Sequence, residues 1–538
     1  PIRPGRRLIT TPPAMDPPLT PAPGRGNSAG RNPTAQDWQT RAGTCVTFIT
    51  RSKPCKNPRV ANSDRLTGLD SSFLHLERDS AHMHVAGCML FEGTPPAYDE
   101  LVAQIVSRLH LVPRYRQRLA FVPLNQGRPV WVDDPHFNAR FHVRHTALPQ
   151  PGDERKLARL AGRVFSQALD RSRPLWELWL VEGVADDRFA LLSKTHHALV
   201  DGISGVDIAT VLFDSSPDPM PVAAAESEWI PRPLPTDVQL LADALLERAT
   251  VPAEIARGVR ATLRRPRQIA SQVGTALAGV GAMAWAGLQA APASPFNVRI
   301  GPHRRFTWVR SELSQFKAVK NALGGTVNDA VLTVVAGALG RYMRLHGEPV
   351  EDVVLKAMVP VSVRADVERG ALGNRVAAMW APLPVGVNDP VARMLTISHE
   401  MEGVKDSGQA VGAQVLTELS GFAPPTIMAQ AARLQAHQRL FNVVVTNVPG
   451  PQFPLYMLGR RLEAMFPMVP LAENTALGIA IMSYDGQLNF GLNADYDALE
   501  DLDVLADELR ASIEELVAAA GEGSVPHPTS ARALRAAE

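Results

Sequence analysis

The stretch Lys194-Thr195-His196-His197-Ala198-Leu199-Val200-Asp201-Gly202 decides how the rest of the chain is read. Before it runs the apolar segment Phe189 to Thr195, suited to an extended strand. A second strand-like run, Trp176 to Glu182, precedes that one. The polar stretch from Val184 to Arg188 joins the two as a hairpin. After the histidines, Ser204 and Asp207 stand three apart as a capping pair, and Ile208, Val211 and Leu212 continue a helix. The histidines therefore sit where a strand ends and a helix begins.

Histidine is the side chain whose ordinary pKa lies near neutrality, so it can take a proton from a hydroxyl and return it. Neighbouring side chains on an extended segment point to opposite faces. One histidine can then face a reaction channel while the other braces the loop. His197 is the candidate general base, His196 its support and Asp201 an orienting carboxylate held by an arginine, Arg375 or Arg364. Gly202 permits the turn. A metal site made of His196, His197 and Asp201 is disfavoured, because adjacent histidines rarely converge on one ion and no further His/Cys cluster accompanies them. No metal and no resident cofactor is expected. A purely structural loop is the plainer alternative to catalysis.

Working outward, 538 residues exceed what one hydrophobic core usually fills, and two domains are expected. Residues 1–62 are rich in Pro, Gly, Arg and Ser, lack an apolar signal core, and are expected to be a disordered extension. A first domain spans 63–214. It opens on Leu66 to Leu74, a mixture of turn residues and apolar anchors, and includes a strand from His84 to Phe91 and a helix from Glu100 to Leu109. A proline-rich linker and a central helical region fill 215–300. The helical part carries Arg257, Arg260, Arg264, Arg265 and Arg267, then the charge-free run Val273 to Gln289. That run barely reaches the length of a membrane span, and its Ala and Gly would insert weakly. It reads either as an interdomain helix or as part of a basic surface resting on anionic lipid.

The second domain, 301–521, opens on a strand from Arg305 to Val309 and a helix from Leu313 to Leu323. Thr326 and Asp329 cap the helix Ala330 to Tyr342. Strands follow at Val353 to Val361, Val376 to Leu383, Asn442 to Thr446, Ala476 to Ser483 and Leu488 to Ala494. A closing helix, Leu502 to Ala518, precedes a flexible tail, 522–538.

The composition is 45% hydrophobic and 20% charged, as in soluble globular proteins. A net charge of +1 argues against a nucleic-acid binder. The three cysteines, Cys45, Cys55 and Cys88, do not form a disulfide framework, so a cytoplasmic location is expected.

HHxxxDG is the signature of the acyltransferase superfamily that includes chloramphenicol acetyltransferase and peptide-synthetase condensation domains. More narrowly, the chain resembles the bacterial bifunctional wax ester synthase/acyl-CoA:diacylglycerol acyltransferase family. Seven further segments agree, in that family's order. They are Leu69-Asp70-Ser71-Ser72-Phe73, Pro174-Leu175-Trp176-Glu177, Gly301-Pro302-His303-Arg304-Arg305, Val327-Asn328-Asp329-Ala330, Gly373-Asn374-Arg375, Asn447-Val448-Pro449-Gly450-Pro451 and Ser483-Tyr484-Asp485-Gly486. Pro174 to Glu177 reads as packing, Asn447 to Pro451 as a rigid turn, and Asp329 as much a helix cap as an active-site residue.

The resemblance implies an α/β fold of two chloramphenicol-acetyltransferase-like domains with a channel at their interface. It implies transfer of an acyl group from acyl-CoA, as co-substrate, to diacylglycerol or a long-chain alcohol. His197 would act as base in a direct transfer, since no G-x-S-x-G nucleophile elbow accompanies the histidines. Ser204 or the amide of Asn328 would stabilise the oxyanion. Peripheral association with the inner face of the plasma membrane or with lipid droplets is expected from the substrates. A related transferase with another acceptor, and a droplet-binding protein without turnover, remain the alternatives.

Overall fold

The computed structural model describes residues 64–200, 211–218, 227–247, 290–362, 376–406 and 439–522. A hairpin lies at its centre. β5 (Trp176–Val184) and β6 (Arg188–His196) pair antiparallel, with Trp176 opposite Thr195. Their connection turns through Asp186 and Asp187, both with positive φ. β6 also pairs antiparallel with β1 (His84–Glu92), which places His84 opposite His196. β4 (Val143–Ala147) adds in parallel beyond β5.

Because strand side chains alternate, this sheet buries two different faces. Met89, Phe91, Phe189, Leu191, Trp176 and Leu178 face α2 (Tyr98–Arg108), which contributes Leu101 and Ile105. Cys88, Leu90, Ala190 and Leu192 face α4 (Glu154–Phe165), whose Leu157, Ala161, Val164 and Phe165 form an apolar stripe. The segment from Leu66 to Leu74, a mixture of turn residues and apolar anchors with no element assigned to it from sequence, forms most of a helix, α1 (Gly68–Leu76), with Thr67 as its N-cap. Its glycine and serines lower helix propensity, but Leu74 is buried and Phe73 is packed, and tertiary contacts outweigh propensity.

The second sheet has the order β7-β14-β13-β10-β8-β9. These strands are β7 (Arg304–Glu312), β8 (Val354–Ser362), β9 (Val376–Pro384), β10 (Val443–Pro449), β13 (Leu477–Tyr484) and β14 (Gln487–Asp495). β10 runs parallel to β8 and β13, and the other pairs are antiparallel. The sheet packs against α6 (Leu313–Leu323), α7 (Val327–Leu345), α8 (Pro390–Asp406) and α9 (Leu502–Glu522). α7 is apolar nearly all round because it lies in the core. Together α6 and α7 have the length and composition of a span but bend by 100°, and among the described residues no single helix could cross a membrane.

Two strands absent from the sequence reading, β11 (Tyr456–Met457) and β12 (Arg460–Met468), leave the second sheet's part of the chain and join the first. β12 pairs antiparallel with β1. Sheet membership therefore does not follow the division of the chain at residue 301. Residues 237–247 are helical, as expected of the central region. The run Val273 to Gln289 and the arginines from Arg257 to Arg267 lie outside the described residues.

Candidate active site

The chain changes from strand to helix at the histidine pair itself: His196 ends β6 and His197 begins the single-turn α5 (His197–Val200). The backbone pins both positions. The N–H of His196 donates to the Leu175 carbonyl at 3.0 Å, and that of His197 to the Met83 carbonyl at 2.9 Å. Leu175 belongs to the Pro174–Glu177 motif, which explains how a packing segment one strand away positions the histidines.

His196 is almost completely buried. Its Nδ1 accepts the Ala198 backbone N–H at 3.1 Å. That nitrogen cannot also carry a proton, so the neutral ring holds its proton on Nε2. Nε2 lies 3.3 Å from Oε2 of Glu77 and donates to it. Protonating Nδ1 would break the bond from Ala198, so the geometry suits His196 to a fixed bracing role. Glu77 caps the C-terminal end of α1 and also receives Arg171, whose Nε lies 3.0 Å away. Burial alone would raise the Glu77 carboxyl; the His196 hydrogen bond and the Arg171 guanidinium outweigh it and bring it down to about 2.

His197 is half-buried, and its ring stacks on Phe73 with centroids 3.9 Å apart and planes 21° from parallel. Stacking of this kind fixes the plane of the ring. Around the pair lies a layer of buried polar groups. Lys194, fully buried, donates to the carbonyls of Val164 and Gln167 and pairs with Glu177 at 3.3 Å. Burial pulls its pKa down, with Glu177 opposing. His84 bonds the Phe165 carbonyl through Nε2 at 2.9 Å, and burial holds its pKa well below normal.

Of the other site candidates, Asp329 is buried and caps α7 through Oδ2, which accepts the Thr326 N–H at 2.8 Å, while its Oδ1 is buried without a hydrogen-bond partner among the described residues. Asn328 occupies the second position of α7, half-buried. Asp201, Gly202, Ser204, Arg364 and Arg375 lie outside the described residues, and so does the pairing expected of Asp201. Glu77, Arg171 and Phe73 were missed as site residues. Phe73 ends the Leu69–Phe73 motif, to which its sequence attaches no chemical role. Glu77, four residues further on, had no signature beyond that proximity.

Comparison with known proteins bears on this arrangement. A family model for the wax ester synthase/diacylglycerol acyltransferase catalytic domain matches residues 66–331, and one for the C-terminal domain matches residues 372–517. Two proteins of Mycobacterium tuberculosis, each described as a probable diacylglycerol O-acyltransferase, are 36% and 31% identical over 463 residues. Those matches cover 84% and 85% of this chain and 98% and 96% of theirs. The solved wax ester synthase/diacylglycerol acyltransferase from Marinobacter aquaeolei VT8 is 31% identical, with a TM-score of 0.58 over 85% of this chain and all of that one. The starter condensation domain of rhizomide synthetase, 15% identical with a TM-score of 0.50 over 86% of this chain and 95% of that one, shares the fold.

Proposed function

Since the chain belongs to the wax ester synthase/diacylglycerol acyltransferase family and is an acyltransferase, we propose that it transfers a fatty acyl group from acyl-CoA directly to diacylglycerol or a long-chain alcohol, with His197 as general base. The observation that carries this reading is the division of labour between the histidines. The His196 ring is engaged by Ala198 and Glu77 and serves as a brace, while the His197 ring, stacked on Phe73 at the first position of the helix, is the one assigned to the proton.

In the proposed step, His197 takes the proton from the acceptor hydroxyl as that oxygen attacks the thioester carbonyl. A tetrahedral oxyanion forms and collapses, the C–S bond breaks, and CoA leaves as a thiolate. With a thiol pKa of about 8.5 the leaving group needs little acid assistance, and the proton on His197 completes the free thiol. Asp201, supported by Arg375 or Arg364, orients the base; Gly202 shapes the turn; Ser204 or the Asn328 amide stabilises the oxyanion. Peripheral association with the inner face of the plasma membrane or with lipid droplets follows from substrates that water dissolves poorly, and salt-reversible retention on vesicles tests it.

The experiment is an acyltransfer assay with one acyl-CoA, offering diacylglycerol and a long-chain alcohol in parallel. His197→Ala abolishes transfer to both acceptors, by roughly three orders of magnitude or more, while His196→Ala keeps residual activity. Full activity in His197→Ala would sink the proposal.

A further inference from the structure

The last turn of α4 has two sides. Inward, its carbonyls at Val164 and Phe165 hold Lys194 and His84, residues on the strands that carry and flank the histidine pair. Outward, the same helix forms one wall of a cleft of about 860 Å³, closed on the far side by the start of β7 and the first turns of α9. Arg155, Arg159 and Arg163 line that cleft at successive turns, about 6 Å apart along the helix axis. All three are exposed, and among the described residues no carboxylate pairs with them. Like charges four residues apart destabilise a helix, so a row of three guanidiniums without carboxylates is a cost that folding alone does not explain.

The opposite wall adds Arg305. It lies 3.8 Å over the Tyr496 ring and donates to the Tyr496 carbonyl at 2.8 Å, with no carboxylate partner among the described residues. Glu154 and Asp507, which also line the cleft, are already engaged by Arg310 and Arg510. Glu500 and Asp503, at the start of α9, carry the remaining opposing charge. Positive charge therefore prevails along α4, with an aromatic ring facing it.

We infer that this cleft binds a phosphate-bearing ligand, cradled by Arg155, Arg159 and Arg163, and that the ligand is the phosphorylated nucleotide end of acyl-CoA. The assignment of the source rests on the acyl-CoA reading above. A nucleotide with a diphosphate and a separate phosphomonoester offers anions at intervals that a row of guanidiniums can meet with charge-assisted bonds. Its base has a flat face for the Tyr496 side of the cleft. Ser166 and Gln167 line the cleft, and the Gln167 carbonyl also binds Lys194, so cleft and histidine layer share one wall. On this reading the pantetheine arm would run from the phosphates toward the histidine layer. Phospholipid headgroups carry the same phosphate chemistry, and the test separates them.

Acyl transfer is measured with acyl-CoA and with acyl-pantetheine, which lacks the nucleotide, for wild type, Arg159→Lys and Arg159→Glu. The wild-type preference in kcat/KM for acyl-CoA over acyl-pantetheine falls roughly tenfold or more in Arg159→Glu and is largely kept in Arg159→Lys. Calorimetric titration with adenosine 3′,5′-bisphosphate shows binding to wild type and to His197→Ala, weakened by Arg159→Glu. An unchanged preference together with unchanged nucleotide binding in Arg159→Glu overturns the inference. Loss of binding to phosphatidylglycerol vesicles with the donor preference intact overturns the nucleotide in favour of a lipid headgroup. Nucleotide binding that depends on Arg159 in a protein unable to use acyl-CoA supports the cleft and sinks the donor reading instead.

Discussion

At the scale of single residues, the most consequential group is Glu77, which joins the bracing histidine to Arg171. Its carboxyl is brought down from the usual carboxylate range to about 2. A group depressed on folding adds stability that is complete above its unfolded pKa and is lost as pH falls toward the folded value. The contribution is therefore present above about pH 5 and disappears near pH 2, and at neutrality it is on the order of 3 kcal/mol. Glu77→Gln is expected to be less stable than wild type in urea denaturation at pH 7, with the gap narrowing as pH drops to 3. A gap that stays constant across that range would separate Glu77 from the ion pair assigned to it.

At the scale of elements, the boundaries set by local chemistry were readable in advance. Thr326 accepts the Asp329 N–H at 3.2 Å and Asp329 accepts the Thr326 N–H, the reciprocal pair expected before α7. Thr326→Ala is expected to cost about 1 kcal/mol in chemical denaturation, and Thr326→Ser to restore most of it. The hairpin β5–β6 and the helix Leu313–Leu323 were also anticipated, because alternation and helical spacing are properties of neighbouring residues. α1 was not: its Gly-Leu-Asp-Ser-Ser sequence mixes turn residues with apolar anchors, and burial of Leu74 and packing of Phe73 hold helical what the Thr67 cap begins. α4 and β12 went unread although their patterns are regular, and both proved central: α4 faces the histidine layer, and β12 completes the first sheet.

At the scale of the molecule, the two sheets are locked together by β12 and by the hairpin that follows it. Phe466 of β12 stacks on Trp308 of β7, with centroids 4.6 Å apart. The Tyr484 hydroxyl, from the second sheet, donates to the Leu462 carbonyl at 3.0 Å and accepts the Leu455 N–H at 2.8 Å. Gly491 of β14 lies where a Cβ would fall 1.8 Å from the Pro467 carbonyl oxygen, a backbone atom that cannot step aside. Gly491→Ala is expected to destabilise the protein by several kcal/mol, on the order of 3 or more, through forced separation of β12 from β14. Denaturation at neutral pH measures this, and a loss below about 1 kcal/mol would show that the contact relaxes easily.

What the sequence determined by itself was local: the strand ahead of the histidines, the capped helices, and a signature chemically suited to moving a proton from a hydroxyl. These depend on residues a few positions apart, where spacing alone fixes which side chains share a face. What only the tertiary structure decided was who surrounds the histidines. Glu77 stands 119 residues from His196 and Arg171 stands 94 from Glu77. Likewise β12 reaches β1 across most of the chain. Contacts at such separations are selected by the burial of whole faces and the pairing of the charges they enclose, and no short pattern records them.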